Sequence, residues 1–198
     1  MFRIIIPSKR VMSYGDNDVM FILETLERNL RSGKRAGRGD VADSTCIGEG
    51  IVRTILTRLD NMGFLDITKR GITLSGTGID FLDTLGISLM DLERTDSAIG
   101  GYQVALLIKG KADLIQRGIE QRNSALKAGG DGCTTIICKG GRLILPPDWD
   151  VDGNSPSMSS QIRSHGIEEG DVVLIGGSNT GRREAAAAAN SAAMELVG

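Results

Sequence analysis

Two groups of residues have types and spacings that could do chemistry. The first is the run Gly176-Gly177-Ser178-Asn179-Thr180-Gly181-Arg182-Arg183. A glycine-rich loop between a strand and a helix can aim backbone N–H groups at an anion, and the helix dipole adds to the attraction. Gly177, Ser178, Asn179, Thr180 and Arg182, with Gly110 after an earlier strand, are therefore the candidate ligand-binding residues, and a small anionic effector is the candidate ligand. The run lacks the Gly-Lys-Ser/Thr ending of a P-loop, and Ser178 stands where the dinucleotide fingerprint has glycine. A plain turn with Ser, Asn or Thr capping the helix accounts for the same residues. The second group is basic: Arg35, Arg38, Arg53, Arg58, Lys69 and Arg70 all fall within residues 35–70.

Other reactive side chains do not assemble into a catalytic set. Asp148-Trp149-Asp150-Val151-Asp152-Gly153 matches the opening of an EF-hand loop. Its twelfth position is Ser159 rather than Glu, and Pro146-Pro147 blocks an entering helix, so an acidic surface loop is the better reading. Cys133 and Cys138 are five apart on a strand and so face opposite ways. Cys46 is expected as a small packed residue near a turn, and His165 as a structural residue at a helix C-terminus, where positive charge is favoured. No nucleophile or general base has a partner at a telling spacing, so no catalytic residue, metal or cofactor is assigned and an enzyme is not expected.

Composition bounds the partners. The chain has 198 residues and a net charge of −2, with three cysteines, an odd number that fits a reducing cytoplasm better than a disulfide framework. No apolar run approaches the roughly 20 residues of a membrane span. Ile4-Ile5-Ile6 is cut off by Pro7 and Lys9-Arg10, too short for a signal-peptide core. The charge is uneven: residues 1–70 carry a net +3 and residues 71–198 a net −5. Aromatic residues make up only 4%, which argues against a stacking platform for single-stranded nucleic acid.

The elements that must position the basic residues are legible from periodicity. Val19, Leu23, Leu26 and Leu30 predict a helix from Asp16 or Asn17, stopped near Gly33. A basic loop, Lys34 to Gly39, precedes a short helix capped by Asp40 and ending at Thr45, with a turn at Ile47-Gly48. Val52, Ile55, Leu56 and Leu59 predict a half-buried third helix from Glu49 to about Met62. Phe64–Thr68 and Ile72–Leu74 predict a hairpin with Lys69-Arg70-Gly71 at its tip, and Ser75 caps a fourth helix.

The run Gly50-x-Val52-x-x-Ile55-Leu56-x-x-Leu59-x-x-x-Gly63-Phe64-Leu65, followed by Ile72-x-Leu74-x-x-x-Gly78, resembles the winged helix-turn-helix of transcription regulators, over residues 16–86. More narrowly, Gly48-Glu49-Gly50-x-Val52-Arg53-Thr54-Ile55-Leu56 resembles an archaeal family of winged-helix proteins with an uncharacterised C-terminal domain. The resemblance implies that the third helix reads duplex DNA. Gly50 and Thr54 then allow close approach, and Arg53 reaches a base edge or phosphate. Glu49, Thr57 and Arg58 flank that face, while Lys69 and Arg70 on the wing and Arg35 and Arg38 on the loop meet the backbone. Solvation of an outer helix face is the plainer explanation of the same charges.

Beyond residue 86, Leu82, Leu85, Leu89 and Leu92 continue an apolar stripe suited to a helical seam between subunits or to packing on the chain's own domain. Residues 96–101 read as a linker. Strands are expected at Tyr102–Ile108, Thr134–Cys138, Leu143–Leu145 and Asp171–Ile175, and helices at Ala112–Lys127, Met158–His165 and Arg182–Leu196. A shift of 67 residues superposes Leu107-Ile108-x-Gly110 on Leu174-Ile175-x-Gly177 and Asn123-Ser124-Ala125 on Asn190-Ser191-Ala192, which suggests a duplicated strand–helix unit.

The sequence therefore predicts an α+β chain: a winged helix-turn-helix with a linker helix over 1–95, then a small α/β domain over 96–198 for regulation or assembly. The expected function is a cytoplasmic, homodimeric regulator that binds double-stranded DNA, touches no membrane, and senses a small anionic effector or assembles through its C-terminal domain. The alternatives are an enzyme that holds a phosphorylated substrate in the C-terminal domain, and an architectural protein without a ligand.

Overall fold

The computed structural model describes residues 13–198. The isoleucine run at positions 4–6 and its basic neighbours lie outside the described residues. The chain is mixed α+β and divides into two compact units, the first ending at Thr84 and the second spanning Leu85–Val197.

The first unit contains α1 (Asp16–Arg31), α2 (Arg38–Thr45), α3 (Glu49–Asn61), the strands β1 (Leu65–Thr68) and β2 (Gly71–Leu74), and α4 (Gly76–Leu85). Its first two helices begin alike. Glycine is the N-cap, and an aspartate three residues on accepts the cap's own N–H: Gly15 donates to Asp18 at 2.9 Å and Gly37 to Asp40 at 2.7 Å. Asp16 and Asp40 are thus inside their helices rather than capping them, where their charge still suits the N-terminal dipole. Val19, Leu23 and Leu26 of α1 and Val52, Ile55, Leu56 and Leu59 of α3 are buried, as a 3.6-residue period requires. At α4, Gly78 donates to the Ser75 hydroxyl, which itself donates to the Gly63 carbonyl, so one side chain fixes both the hairpin exit and the helix start. Phe64 and Phe81 stack with centroids 5.3 Å apart across the same junction.

Cys46 is a correction. It ends α2 in the left-handed region at φ 56° and its side chain is exposed, not packed. Ile47 takes the buried place beside it.

The second unit is built on a six-stranded antiparallel sheet in the order β3-β4-β8-β5-β6-β7. Its strands are β3 (Ile87–Met90), β4 (Tyr102–Ile108), β5 (Gly132–Lys139), β6 (Arg142–Leu145), β7 (Trp149–Asp150) and β8 (Val172–Ser178). On one face Ala105, Leu107, Ile136, Cys138, Val173 and Ile175 pack against Val151 of α6 (Val151–Asn154) and Met158 and Ile162 of α7 (Pro156–Ser164). The other face carries α8 (Arg182–Val197), which packs on β8 and β4 and against α5 (Ile119–Lys127). Six buried alanines let α8 lie close to the sheet, and Gly176 completes the fit, since a Cβ there would collide with the backbone of Ala185 and Ala189.

Three expectations change here. The Leu82–Leu92 stripe is not one helix: Gly86 turns the chain at φ 65°, and Leu89 lies in β3, paired with Leu106 of β4. No helical seam between subunits exists along it, and β3 belongs to the second unit rather than to a linker helix. Residues 96–101 are not a free linker either. The Gln103 side chain accepts from Thr95 N–H at 2.9 Å and donates to the Thr95 and Ala98 carbonyls, fastening this segment to β4. The expected helix Ala112–Lys127 is broken at Gly118 (φ 71°) into a single turn at Ala112–Leu114 and α5. The 67-residue echo does fall on two strand–helix pairs, β4–α5 and β8–α8. Their connections differ greatly, however, spanning Lys109–Gly118 in one and only Asn179–Gly181 in the other.

Candidate functional site

In the first unit the basic loop and the hairpin are joined through backbone. Ala36 N–H donates to the Ile72 carbonyl at 3.0 Å and Ile72 N–H to the Ala36 carbonyl at 2.9 Å. This bridge brings Arg35 beside the hairpin, with Nη1 3.4 Å from Thr68 Oγ1. Gly71 makes the approach feasible. Its φ is 117°, and a Cβ on it would stand 3.1 Å from both the Ala36 carbonyl oxygen and Arg35 Cβ. Lys69 and Arg70 are exposed at the tip of the same hairpin.

With Val52, Ile55, Leu56 and Leu59 buried, the outward face of α3 carries Gly50, Thr54 and Thr57, and Asn61 lies one turn further on. Arg53 is exposed and Arg58 half-buried at its flanks. The hydroxyls of Thr54 and Thr57 donate back to the carbonyls of Gly50 and Arg53, leaving methyl groups to complete a smooth face. Glu49, at the start of α3, faces Arg38 at 3.6 Å, an exposed pair that cancels charge there without adding much stability. Asn61 was not singled out from sequence, because it follows the last apolar position of the helix; the i+4 step from Thr57 is the signal that finds it.

The ligand set expected in the second unit does not converge. Ser178 and Gly177 lie at one end of β8, while Gly110 lies beyond the opposite end, where Ile108 pairs with Val172; seven-residue β8 separates them by roughly 20 Å. Two N–H groups of the loop, and that of Gly110, are also committed. Asn179 N–H donates to Asp131 at 2.6 Å, Thr180 N–H to Ser178 Oγ at 3.0 Å, and Gly110 N–H to Asp171 at 3.0 Å. Glu184 folds back so far over the start of α8 that a Cβ on Gly181 would stand 2.7 Å from its carboxylate, which places an anion where an effector anion would dock. Arg182 instead helps line a cavity of about 230 Å³ with Asp91, Glu93, Thr95, Gln103 and Gln161.

The remaining chemistry-bearing residues are structural. Asp152, from the EF-hand-like run, accepts from Arg163, Ser159 and Leu143 N–H, and Asp150 pairs with Arg142 at 2.9 Å. Among the described residues no cluster of His, Cys, Asp or Glu could hold a metal ion. His165 Nε2 accepts from Asp91 N–H at 3.0 Å while Nδ1 sits 3.0 Å from the Gln161 carbonyl, to which it donates. His165 thus pins the start of the 91–101 segment to the end of α7. Burial draws the Lys109 pKa down, but the hydrogen bonds and charges of the nearly inaccessible Asp171 carboxylate and of Glu168 together outweigh this and raise it. Glu169 accepts from both glycines of the β5–β6 turn, Gly140 at 2.8 Å and Gly141 at 3.0 Å, and its pKa is lowered for that reason.

Among the described residues no helix is long and apolar enough to cross a membrane. No curated protein matches the chain. A solved structure similar to it is the hypothetical protein PH0730 from Pyrococcus horikoshii OT3, with a TM-score of 0.70, 22% identity and 93% of each chain covered; the likeness is one of fold. Residues 99–196, most of the second unit, match the family described as Domain of unknown function (DUF4443).

Proposed function

We propose that the protein is a DNA-binding transcription regulator whose first unit is a winged helix-turn-helix. On this reading α3 enters the major groove of duplex DNA, Gly50, Thr54 and Thr57 allow close approach, and Arg53 and Asn61 reach base edges or phosphates. The β1–β2 hairpin is the wing. The observation that carries the proposal is the Ala36–Ile72 bridge, because it holds Arg35 against the hairpin that bears Lys69 and Arg70. Basic side chains from two separate segments are thereby supported on one small scaffold, a feature that solvation of a helix face does not require. The protein acts by binding rather than by catalysis, in the cytoplasm, and the second unit responds to a ligand or assembles the protein. Two-fold DNA half-sites favour a homodimer.

The test is fluorescence anisotropy with labelled fragments of duplex DNA at moderate salt, comparing the wild type with an Arg53→Glu, Lys69→Glu double variant. Both side chains are exposed, so the fold is retained. The expected result is a loss of affinity of at least roughly tenfold, from lost contacts and added repulsion. Equal affinity of the two proteins overturns the reading.

A further inference from the structure

The second unit has a cavity of about 250 Å³ that no other element of the reading uses. It lies where α5 begins beside β5, and Arg117, Gly118, Ile119, Arg122, Thr135 and Leu145 line it. Four independent features point to an anion. First, α5 starts at Gly118, whose φ of 71° and missing side chain leave the first turn without a capping group. The N–H groups of that turn therefore lack a side-chain acceptor. Second, Arg117 and Arg122 flank the cavity with no ion-pair or hydrogen-bond partner among the described residues. Third, Thr135 is 5% exposed, its hydroxyl has no nitrogen or oxygen partner and only the weakly bonding Cys133 thiol beside it, and it lies against the helix start, where a Cβ on Gly118 would stand 3.0 Å from Oγ1. A buried hydroxyl in that state is costly unless something bonds to it. Fourth, none of the lining residues is a carboxylate. Burial pushes the Cys133 thiol up to about 12, so the sulfur at the cavity wall is neutral as well.

We propose that this cavity binds a small organic phosphate. The two guanidiniums and the start of α5 take the phosphate, for which paired arginines and a helix N-terminus are suited together. Ile119 and Leu145 form an apolar wall for the organic body. The volume is below the roughly 300 Å³ at which drug-sized pockets begin, so the ligand is smaller than a dinucleotide. This site lies away from the β8–α8 loop, where Glu184 already occupies the helix start. It rests on the second unit alone, so failure of DNA binding leaves it standing.

The experiment is calorimetric titration of the full chain, at constant ionic strength, with phenyl phosphate, inorganic phosphate and sodium benzoate. Phenyl phosphate is expected to bind saturably and more tightly than either of the others. An Arg117→Ala, Arg122→Ala double variant is expected to bind it roughly tenfold or more weakly, as loss of charge-assisted bonds requires. Arg182→Ala is expected to match the wild type. Amide NMR shifts of the wild type, which need no variant, should move at Gly118–Gln121. No saturable binding, equal affinity in the double variant, or shifts centred on Gly177–Arg183 would each overturn the proposal. Benzoate binding as tightly as phenyl phosphate would overturn its phosphate class.

Discussion

Arg163 holds both carboxylate oxygens of Asp152, with Nη2 2.8 Å from Oδ2 and 3.0 Å from Oδ1, and Nε 3.1 Å from Oδ1. The same Nη2 donates to the Gly141 carbonyl at 3.0 Å, so the pair ties α7 to the β5–β6 turn. These bonds from Arg163, only partly offset by burial, lower the Asp152 carboxyl to about 2 from an ordinary 3.8. A lowered carboxyl stabilises the fold above its unfolded pKa, and that contribution is lost as pH falls through the folded value. Asp152→Asn should therefore reduce stability at pH 7 by about 1 kcal/mol, after discounting for the half-exposed arginine. The deficit should be mostly lost by about pH 2 and vanish only below it. Urea unfolding at the two pH values checks this, and a deficit independent of pH would assign the effect to packing instead.

Gly71 tests the scaffold under the proposed wing. Alanine there must adopt φ 117° and displace either the Ala36 carbonyl or the Arg35 side chain. The expected loss is about 1–3 kcal/mol of stability in the first unit, read as an earlier unfolding transition. An unchanged transition would mean that the hairpin moves away from the loop at no cost.

Lys69 and Arg35 test the electrostatics separately from base reading. Each phosphate contact removed should lower the slope of log affinity against log salt by about 1. Lys69→Ala and Arg35→Ala are therefore expected to weaken binding to all duplexes alike. Arg53→Ala should weaken some sequences more than others, and titrations at several salt concentrations separate the two behaviours.

The thiols offer a check on the fold itself. Cys46 is exposed, whereas Cys133 and Cys138 are buried. A maleimide reagent should label one cysteine in the native protein and all three after denaturation. Rapid labelling of Cys138 under native conditions would show that α7 does not cover that face of the sheet.

Much of the first unit was legible because its signals are local. Apolar residues at helical spacing and glycines at Gly33, Gly63 and Gly71 mark the ends of elements, and the helices and hairpin appear within one or two residues of those positions. The Ala36–Ile72 bridge was not legible, because a single pair of backbone bonds between distant residues leaves no periodic trace. In the second unit, β3 was misread because Leu85, Leu89 and Leu92 mimic a helical stripe, and four residues are too few for strand alternation to assert itself. The cavity at α5 was hidden for a related reason. Residues 112–127 look like one helix, and only the left-handed Gly118 turns Arg117 and Arg122 toward Thr135, which is distant in sequence.

The six-stranded sheet is open, so its two rims present unpaired backbone that another chain could template upon. Both rims are blunt. On one side β7 is two residues long, and on the other β3 is four residues long before the chain leaves at Met90. Neither offers the straight run of donors and acceptors that ribbon-like stacking requires. Edges this short give another chain little to pair with, which disfavours the edge-to-edge stacking to which open sheets are prone.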